Sequence, residues 1–349
     1  MTTLSPAALR ARLAAFPRTR LAYLPTPLEP CPRFSAALGG PEILVKRDDL
    51  TGLAFGGNKT RQLEFVFGEV IAAGADTVVA GAYTQSNWCR QITAAACKHG
   101  LKAVLVLAHG VKGPLVQGNL LLDLILGADV TVIPVLDEEL QPHLEARAEA
   151  LRLAGARPYL ISSFETRTQS LAALGYVETV LEICDQLGRA PDHIYVAGSE
   201  MSPAGLIVGA RALGLPTRVV SVSPITYPES RQDEIARICN GIAARLDLEL
   251  RFASADVLVD DGYIGDAYGI VSDAGREAIA LLARTEGLLL DPVYTSKGMA
   301  GLIDHVRQGR LQAGETVVFV HTGGLPALFA YASDLGLGAL RQATGIALP

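Results

Sequence analysis

Cysteine, methionine and tryptophan are scarce in this chain, at five, three and one among 349 residues. The cysteines (Cys31, Cys89, Cys97, Cys184 and Cys239) are odd in number, scattered and never spaced Cys-x-x-Cys, so neither a disulfide framework nor a zinc site is expected. Most of them read as small buried hydrophobes. No single sign of charge dominates. Thirty Lys+Arg stand against 36 Asp+Glu, a net charge of -6 without long runs, which points away from nucleic acid and anionic membranes as partners. No unbroken apolar stretch opens the chain either: Met1 to Arg20 alternates Leu and Ala with arginine and proline and does not read as a signal peptide or membrane span. The expected compartment is the cytoplasm, and the expected partner a small molecule.

Half of the residues are hydrophobic, and the length suits two cores. Short β-branched runs, at 77–80, 103–106, 130–133, 159–161, 194–196, 219–222 and 317–320, alternate with longer amphipathic segments. Those segments, at 87–98, 115–126, 138–153, 170–187, 267–284 and 297–307, carry the helical period. Strand, helix, strand implies an α/β fold with parallel sheets covered on both faces. No repeat, low-complexity tract or flexible linker divides the chain into two halves.

The densest chemical signal is Phe55-Gly56-Gly57-Asn58-Lys59-Thr60-Arg61, where a lysine follows a Gly-Gly-Asn turn and precedes the helical pattern 62–70. At the positive end of a helix and partly out of water, its ammonium form is disfavoured and its nucleophilic amine more accessible. A lysine that bonds covalently to a carbonyl compound needs that setting; a solvated surface charge is the ordinary alternative. Residues 43–50 before it read as a strand running into a charged turn.

From Lys46-Arg47-Asp48-Asp49 through Gly56-Gly57-Asn58-Lys59 to Leu63-Glu64-Phe65, the chain resembles pyridoxal-phosphate (PLP) enzymes of the tryptophan synthase β-like superfamily, fold type II. Within it, the chain is similar to the D-cysteine desulfhydrase and 1-aminocyclopropane-1-carboxylate (ACC) deaminase family. The resemblance runs from Arg18 to about Tyr331 and rests on four matches in order. It implies two domains, each with a mainly parallel sheet flanked by helices. A small domain of residues 60–170 would be inserted into a large PLP-binding one of 1–59 and 171–349, with the site in the cleft between them. A homodimer is implied as well.

The resemblance makes Lys59 the residue that carries pyridoxal 5'-phosphate, with Asn58 bonded to the cofactor's 3-oxygen. The loop Gly198-Ser199-Glu200-Met201-Ser202 follows a strand and opens a helix, with Ser202 expected as N-cap and Pro203 as first helical residue. It reads either as an ordinary capped helix or as a phosphate cradle. The family usually has small residues where this chain has Glu200 and Met201. A carboxylate about 4 Å from a phosphate costs on the order of 4 kcal/mol per charge pair at a dielectric of 20, so Glu200 is expected to point away from it.

Ser86 and Asn87, at a strand-to-helix junction, are candidates for gripping a substrate carboxylate, with Ser86 also placed to move a proton; helix capping explains Ser86 equally well. Trp88 stands where the family commonly has histidine and serves either as substrate wall or as core. Leu290-Asp291-Pro292-Val293-Tyr294-Thr295-Ser296-Lys297 matches a family motif whose tyrosine neighbours the reacting carbon, making Tyr294 the second catalytic candidate. ACC deaminases have a glutamate after that tyrosine, facing the pyridine nitrogen. Thr295 is neutral there, which suits β-elimination of a good leaving group better than cyclopropane opening. Tyr268 falls in a second tyrosine region of the substrate site, and Thr322, in His321-Thr322-Gly323-Gly324, is placed near the pyridine nitrogen. His321 is left as a structural residue.

The expected activity is therefore that of a PLP-dependent carbon-sulfur lyase or deaminase of a small β-substituted amino acid. D-cysteine desulfhydrase is the first reading, ACC deaminase or another amino-acid lyase the alternative, and a non-catalytic homologue that binds PLP or an amino acid the rival from another class.

Overall fold

The structure, a computed structural model, describes residues 3–336. Among these residues ten strands form two sheets. They are β1 (Leu28–Pro30), β2 (Glu42–Lys46), β3 (Thr77–Tyr83), β4 (Lys102–Ala108), β5 (Asp129–Ile133), β6 (Pro158–Leu160), β7 (His193–Ala197), β8 (Arg218–Val222), β9 (Leu258–Asp260) and β10 (Thr316–Val320). The larger sheet runs β1-β2-β10-β7-β8-β9 and the smaller β5-β4-β3-β6. Every pair is parallel except β1 with β2. The central strands β7 and β10 are buried along their whole length, as the hydrophobic runs 194–197 and 317–320 require in a sheet covered on both faces. The fold is the expected α/β architecture of parallel sheets flanked by helices. The smaller sheet comes wholly from residues between 77 and 160, within the segment expected to form the small domain. The ends of the expected large domain, 1–2 and 337–349, lie outside the described residues.

Several local expectations need correction. The three-residue edge strands β1 and β9 are too short to carry a period and went unread. The helix expected over 170–187 is two, Thr166–Ala172 and Leu174–Leu187, meeting at Ala173. The one expected from 267 starts at Asp273, where the Ser272 side chain accepts from the Gly275 N–H. Gly269, at φ 73°, keeps Tyr268 in the turn before it. Helices Pro6–Ala14, Pro32–Leu38 and Arg231–Arg245 were not anticipated.

Parallel order places the carboxyl ends of β2, β7, β8 and β10 on one side of the larger sheet, where the chain enters Asp48, Gly198, Pro224 and Thr322. The corresponding ends of β3, β5 and β6 lead to Ser86, Asp137 and Ser163. These two sets of strand ends face one another across a cleft, the position where ligands bind in open parallel sheets. Among the described residues no helix is long and apolar enough to cross a membrane.

Candidate active site

The cleft encloses about 1040 Å³, including space open to solvent. Its wall brings together Asn58, Lys59, Ser86, Asn87, Trp88, Gly198, Ser199, Glu200, Met201, Ser202, Tyr268, Tyr294 and Thr322. Of the residues expected at the site, Thr295 alone is absent from that wall.

Lys59 is the second residue of the helix Asn58–Ala72 and opens to the cleft. The turn before it is strained: Ala54 and Phe55 have φ of 43° and 69°, and Gly56 and Gly57 have φ of 65° and 121°. A Cβ on Gly56 would meet the Asp49 carbonyl oxygen at 2.1 Å, so only glycine fits there. Two residues further along the helix, on its opposite side, Arg61 is fully buried and joins Asp48 at 2.8 Å and Glu182 at 3.0 Å. Lys46 meets Glu182 at 2.6 Å, and the Tyr176 hydroxyl donates to Asp48 at 2.8 Å. This neutral four-charge network anchors the lysine helix to β2.

Burial lowers the Lys59 pKa to about 8, against the opposing attraction of Glu200. Two other lysines, Lys46 and Lys297, are buried. The Lys46 ammonium is ion-paired, and that of Lys297 donates to the carbonyls of Ile264 (2.6 Å) and Ala267 (2.9 Å). Among the described residues Lys59 makes no hydrogen bond or ion pair, and its Nζ lies 5.6 Å from the centre of a Trp88 ring. Its amine is therefore free for chemistry in the cleft.

Opposite Lys59, the helix Met201–Ala212 begins with Glu200, whose side chain makes no capping bond. The N-cap is thus Glu200 rather than Ser202. Ser202 instead accepts from Asn58 Nδ2 at 3.0 Å and Gln62 Nε2 at 3.1 Å, tying the phosphate-loop candidate to the lysine helix. The uncapped first-turn N–H groups and the helix dipole suit a phosphate. Glu200 is the one misfit. It does not turn out to solvent: it lines the cleft, and burial raises its pKa to about 7 against the attraction of Lys59.

Ser86 caps a helix and also lines the cleft. Its hydroxyl accepts from the Cys89 N–H at 3.2 Å at the start of the helix Asn87–Lys98. Trp88 is buried, its indole nitrogen has no partner among the described residues, and one side meets the cleft.

The Asp291-Pro292 turn sets Tyr294. One Asp291 oxygen accepts the N–H groups of Val293 (2.8 Å) and Tyr294 (2.9 Å), and the other the Thr295 N–H (2.8 Å) and hydroxyl (2.7 Å). Thr295 is buried against Asp291, which holds its hydroxyl away from the cleft and accounts for its absence there. The Tyr294 and Tyr268 hydroxyls lie 2.5 Å apart, and burial raises both pKa values. Tyr268 stacks on Tyr83 at 5.6 Å. The Thr322 carbonyl accepts the Asn58 N–H at 3.0 Å. Both His321 ring nitrogens are occupied, by the Leu289 carbonyl and the Gly323 N–H.

Sequence reasoning missed Tyr83, Asp137, Ser163, Phe164, Tyr227 and Asp291 on the wall. Tyr83 ends β3 and Asp137 lies four residues beyond β5, so the strand-end rule was the available signal. Burial pushes the Asp137 carboxyl up, and Tyr227 lies under the Arg231 guanidinium at 4.2 Å.

A family model described as pyridoxal-phosphate dependent enzyme matches residues 19–323. A 1-aminocyclopropane-1-carboxylate deaminase of Burkholderia vietnamiensis is 41% identical over 330 residues, covering 92% of this chain and 98% of its own. One from Burkholderia ambifaria is also 41% identical over 330 residues, with the same coverage. A crystal structure of an ACC deaminase homologue superposes with a TM-score of 0.87 at 34% identity, over 96% of this chain and all of its own. Threonine deaminase isoform 2 of Solanum lycopersicum, at TM-score 0.68 and 16% identity over 98% of this chain and 94% of its own, shares the fold.

Proposed function

The chain belongs to the family of pyridoxal-phosphate-dependent enzymes, and on that premise we propose that it is a deaminase or lyase of a small amino acid, with ACC the first substrate to test. The observation that carries the reading is the free, half-buried Lys59 amine, facing an uncapped helix N-terminus across a cleft walled by Ser86, Asn87 and Tyr294. The sequence alone put D-cysteine first; the ACC deaminase names of the curated relatives move that order toward ACC.

Bound pyridoxal phosphate supplies an electron sink for charge developing at the substrate's α-carbon. Lys59 holds the cofactor, and the loop Gly198 to Ser202 receives its phosphate. Asn58 lies beside that loop, its amide shared with Ser202. Ser86 and Asn87 take the substrate carboxylate, and Trp88 closes one wall. For a substrate with an α-proton, the neutral Lys59 amine removes it. ACC has none, so Tyr294, held by Tyr268, or Ser86 assists ring opening instead.

A second reading, β-elimination from D-cysteine or a related β-substituted amino acid, is favoured by Thr295, an uncharged residue where the family resemblance places a glutamate in ACC deaminases. Two product assays separate the readings: 2-oxobutanoate with ammonia from ACC, or pyruvate, sulfide and ammonia from D-cysteine. Turnover of neither, by protein that holds the cofactor, would sink both substrates. In this reading the two sheets belong to two domains, residues 60–170 forming the inserted one, and the assembly is a homodimer. A monomeric mass by sedimentation would remove the latter.

A further inference from the structure

Arg90 is fully buried and lies outside the groups used so far. Its Nη1 donates to Asn87 Oδ1 and to Asn119 Oδ1, both at 2.7 Å, and its Nη2 donates to the Gly56 carbonyl at 2.9 Å. Among the described residues its Nε has no partner and no carboxylate lies within ion-pair distance; Asp123 attracts it from further away. A buried guanidinium without a paired anion is expensive, and an apolar residue would serve packing better. Its three bonds are what it offers.

Those bonds reach the two halves of the site. Gly56 belongs to the strained turn that delivers Lys59. The same carbonyl also accepts Gln91 Nε2 at 2.6 Å, and Thr60 donates to Gln91 Oε1 at 2.6 Å, so the turn is braced from the Asn87–Lys98 helix. On the other side, Asn87 Oδ1 accepts from both Arg90 and Asn119 Nδ2 (3.1 Å). Asn119 is fixed in turn by Gln85, whose Oε1 accepts its N–H at 2.9 Å and whose carbonyl accepts its Nδ2 at 2.7 Å. With its oxygen held by two donors, the Asn87 amide has only its NH₂ to present to the cleft, and an NH₂ selects an acceptor.

We propose that Arg90 is a positioning residue that sets the span between the Lys59 amine and the Asn87 amide, and so makes the site selective for amines that carry a carboxylate next to the amino group. This rests on the proposed function above, in which Asn87 takes that carboxylate. Arg90 touches no substrate in this account; it acts through Gly56 and Asn87.

The test uses the PLP-loaded enzyme and two probes without a leaving group: D-alanine, and ethylamine, which is alanine without its carboxylate. Affinity is read from the change in the visible absorption band, and folding from the thermal melt. Wild type should prefer D-alanine. Arg90→Met should cut that preference by at least about tenfold, since a displacement near 1 Å of a positioned group costs that much or more. Arg90→Lys, which keeps the charge but reaches one acceptor instead of three, should recover only part of it, and it carries the test should Arg90→Met not fold. In an Asn87→Ala background Arg90→Met should change the preference by less than about twofold, because coupled residues are not additive. An unchanged preference in Arg90→Met, or a full additional loss on top of Asn87→Ala, overturns the proposal. Wild-type enzyme whose visible band ignores every amino acid would instead sink the proposed function itself.

Discussion

Replacing Glu200 by glutamine keeps its size and one acceptor oxygen, exchanges the other oxygen for an NH₂ donor and removes a charge from the rim of the phosphate-loop candidate. At an effective dielectric of 20, a unit charge pair is worth about 4 kcal/mol at 4 Å and about 2 kcal/mol at 8 Å, so the smaller value already gives roughly a 30-fold change in affinity. The repulsion exists only when Glu200 is ionised. Burial pushes its pKa up to about 7, so the carboxylate is charged above that pH and neutral well below it. Glu200 also raises the Lys59 pKa, so its removal takes Lys59 further below about 8 and enlarges the fraction of free amine, an effect of the same sign. Titration of the apo-protein with pyridoxal phosphate, followed by absorbance from pH 6 to 9, should show Glu200→Gln binding roughly 15- to 30-fold tighter than wild type near pH 8.5, the ceiling being set by the protons wild type can take up there. The two should converge to within about threefold near pH 6. An anion entering beside Glu200 raises its pKa further, so wild type should take up protons on binding near pH 7.5, and the variant fewer. A difference that is absent, or the same at every pH, would refute this placement of the carboxylate.

Arg61→Leu strands the buried Asp48 carboxylate and should cost about 3–5 kcal/mol in urea unfolding, whereas a loss below about 1 kcal/mol would mean that water replaces the guanidinium. Gly57→Ala forces a Cβ to within 2.8 Å of Gln91 Nε2 at a backbone φ of 121° and should destabilise the Lys59 turn by about 1–3 kcal/mol, read as faster release of the cofactor in dialysis. Tyr268→Phe removes the hydroxyl partner of Tyr294 and should lower kcat by about 10- to 100-fold with little change in KM; a change confined to KM would make the pair a binding feature only.

The parallel α/β architecture was legible because β7, β8 and β10 are short runs rich in valine, isoleucine and aromatic residues and the intervening helices carry a full period. Three-residue strands such as β1 have no period to read, and β1 ends in a proline that only an edge tolerates. The Ser202 cap was misassigned for a long-range reason: Ser202 has the right chemistry for a cap, but Asn58 and Gln62, some 140 residues earlier, claim its hydroxyl. Motifs adjacent in sequence supplied most of the cleft wall. Asp137 and Tyr227 reach it from segments with no local signature, brought in by the ends of β5 and β8. Thr295 illustrates the converse, a residue in the right motif whose side chain is held elsewhere by a neighbour four positions earlier.

The central claim is that Lys59 is the cofactor lysine, and the most direct measurement is reduction of the PLP-loaded protein with borohydride followed by peptide mapping. Lys297 is the informative competitor, because burial lowers its pKa to about 8 as well, yet backbone carbonyls occupy its ammonium. The account predicts the phosphopyridoxyl mass on the peptide containing Lys59, and no such adduct in Lys59→Ala. A label on Lys297, or a Lys59→Ala protein labelled to the same extent as wild type, would contradict it.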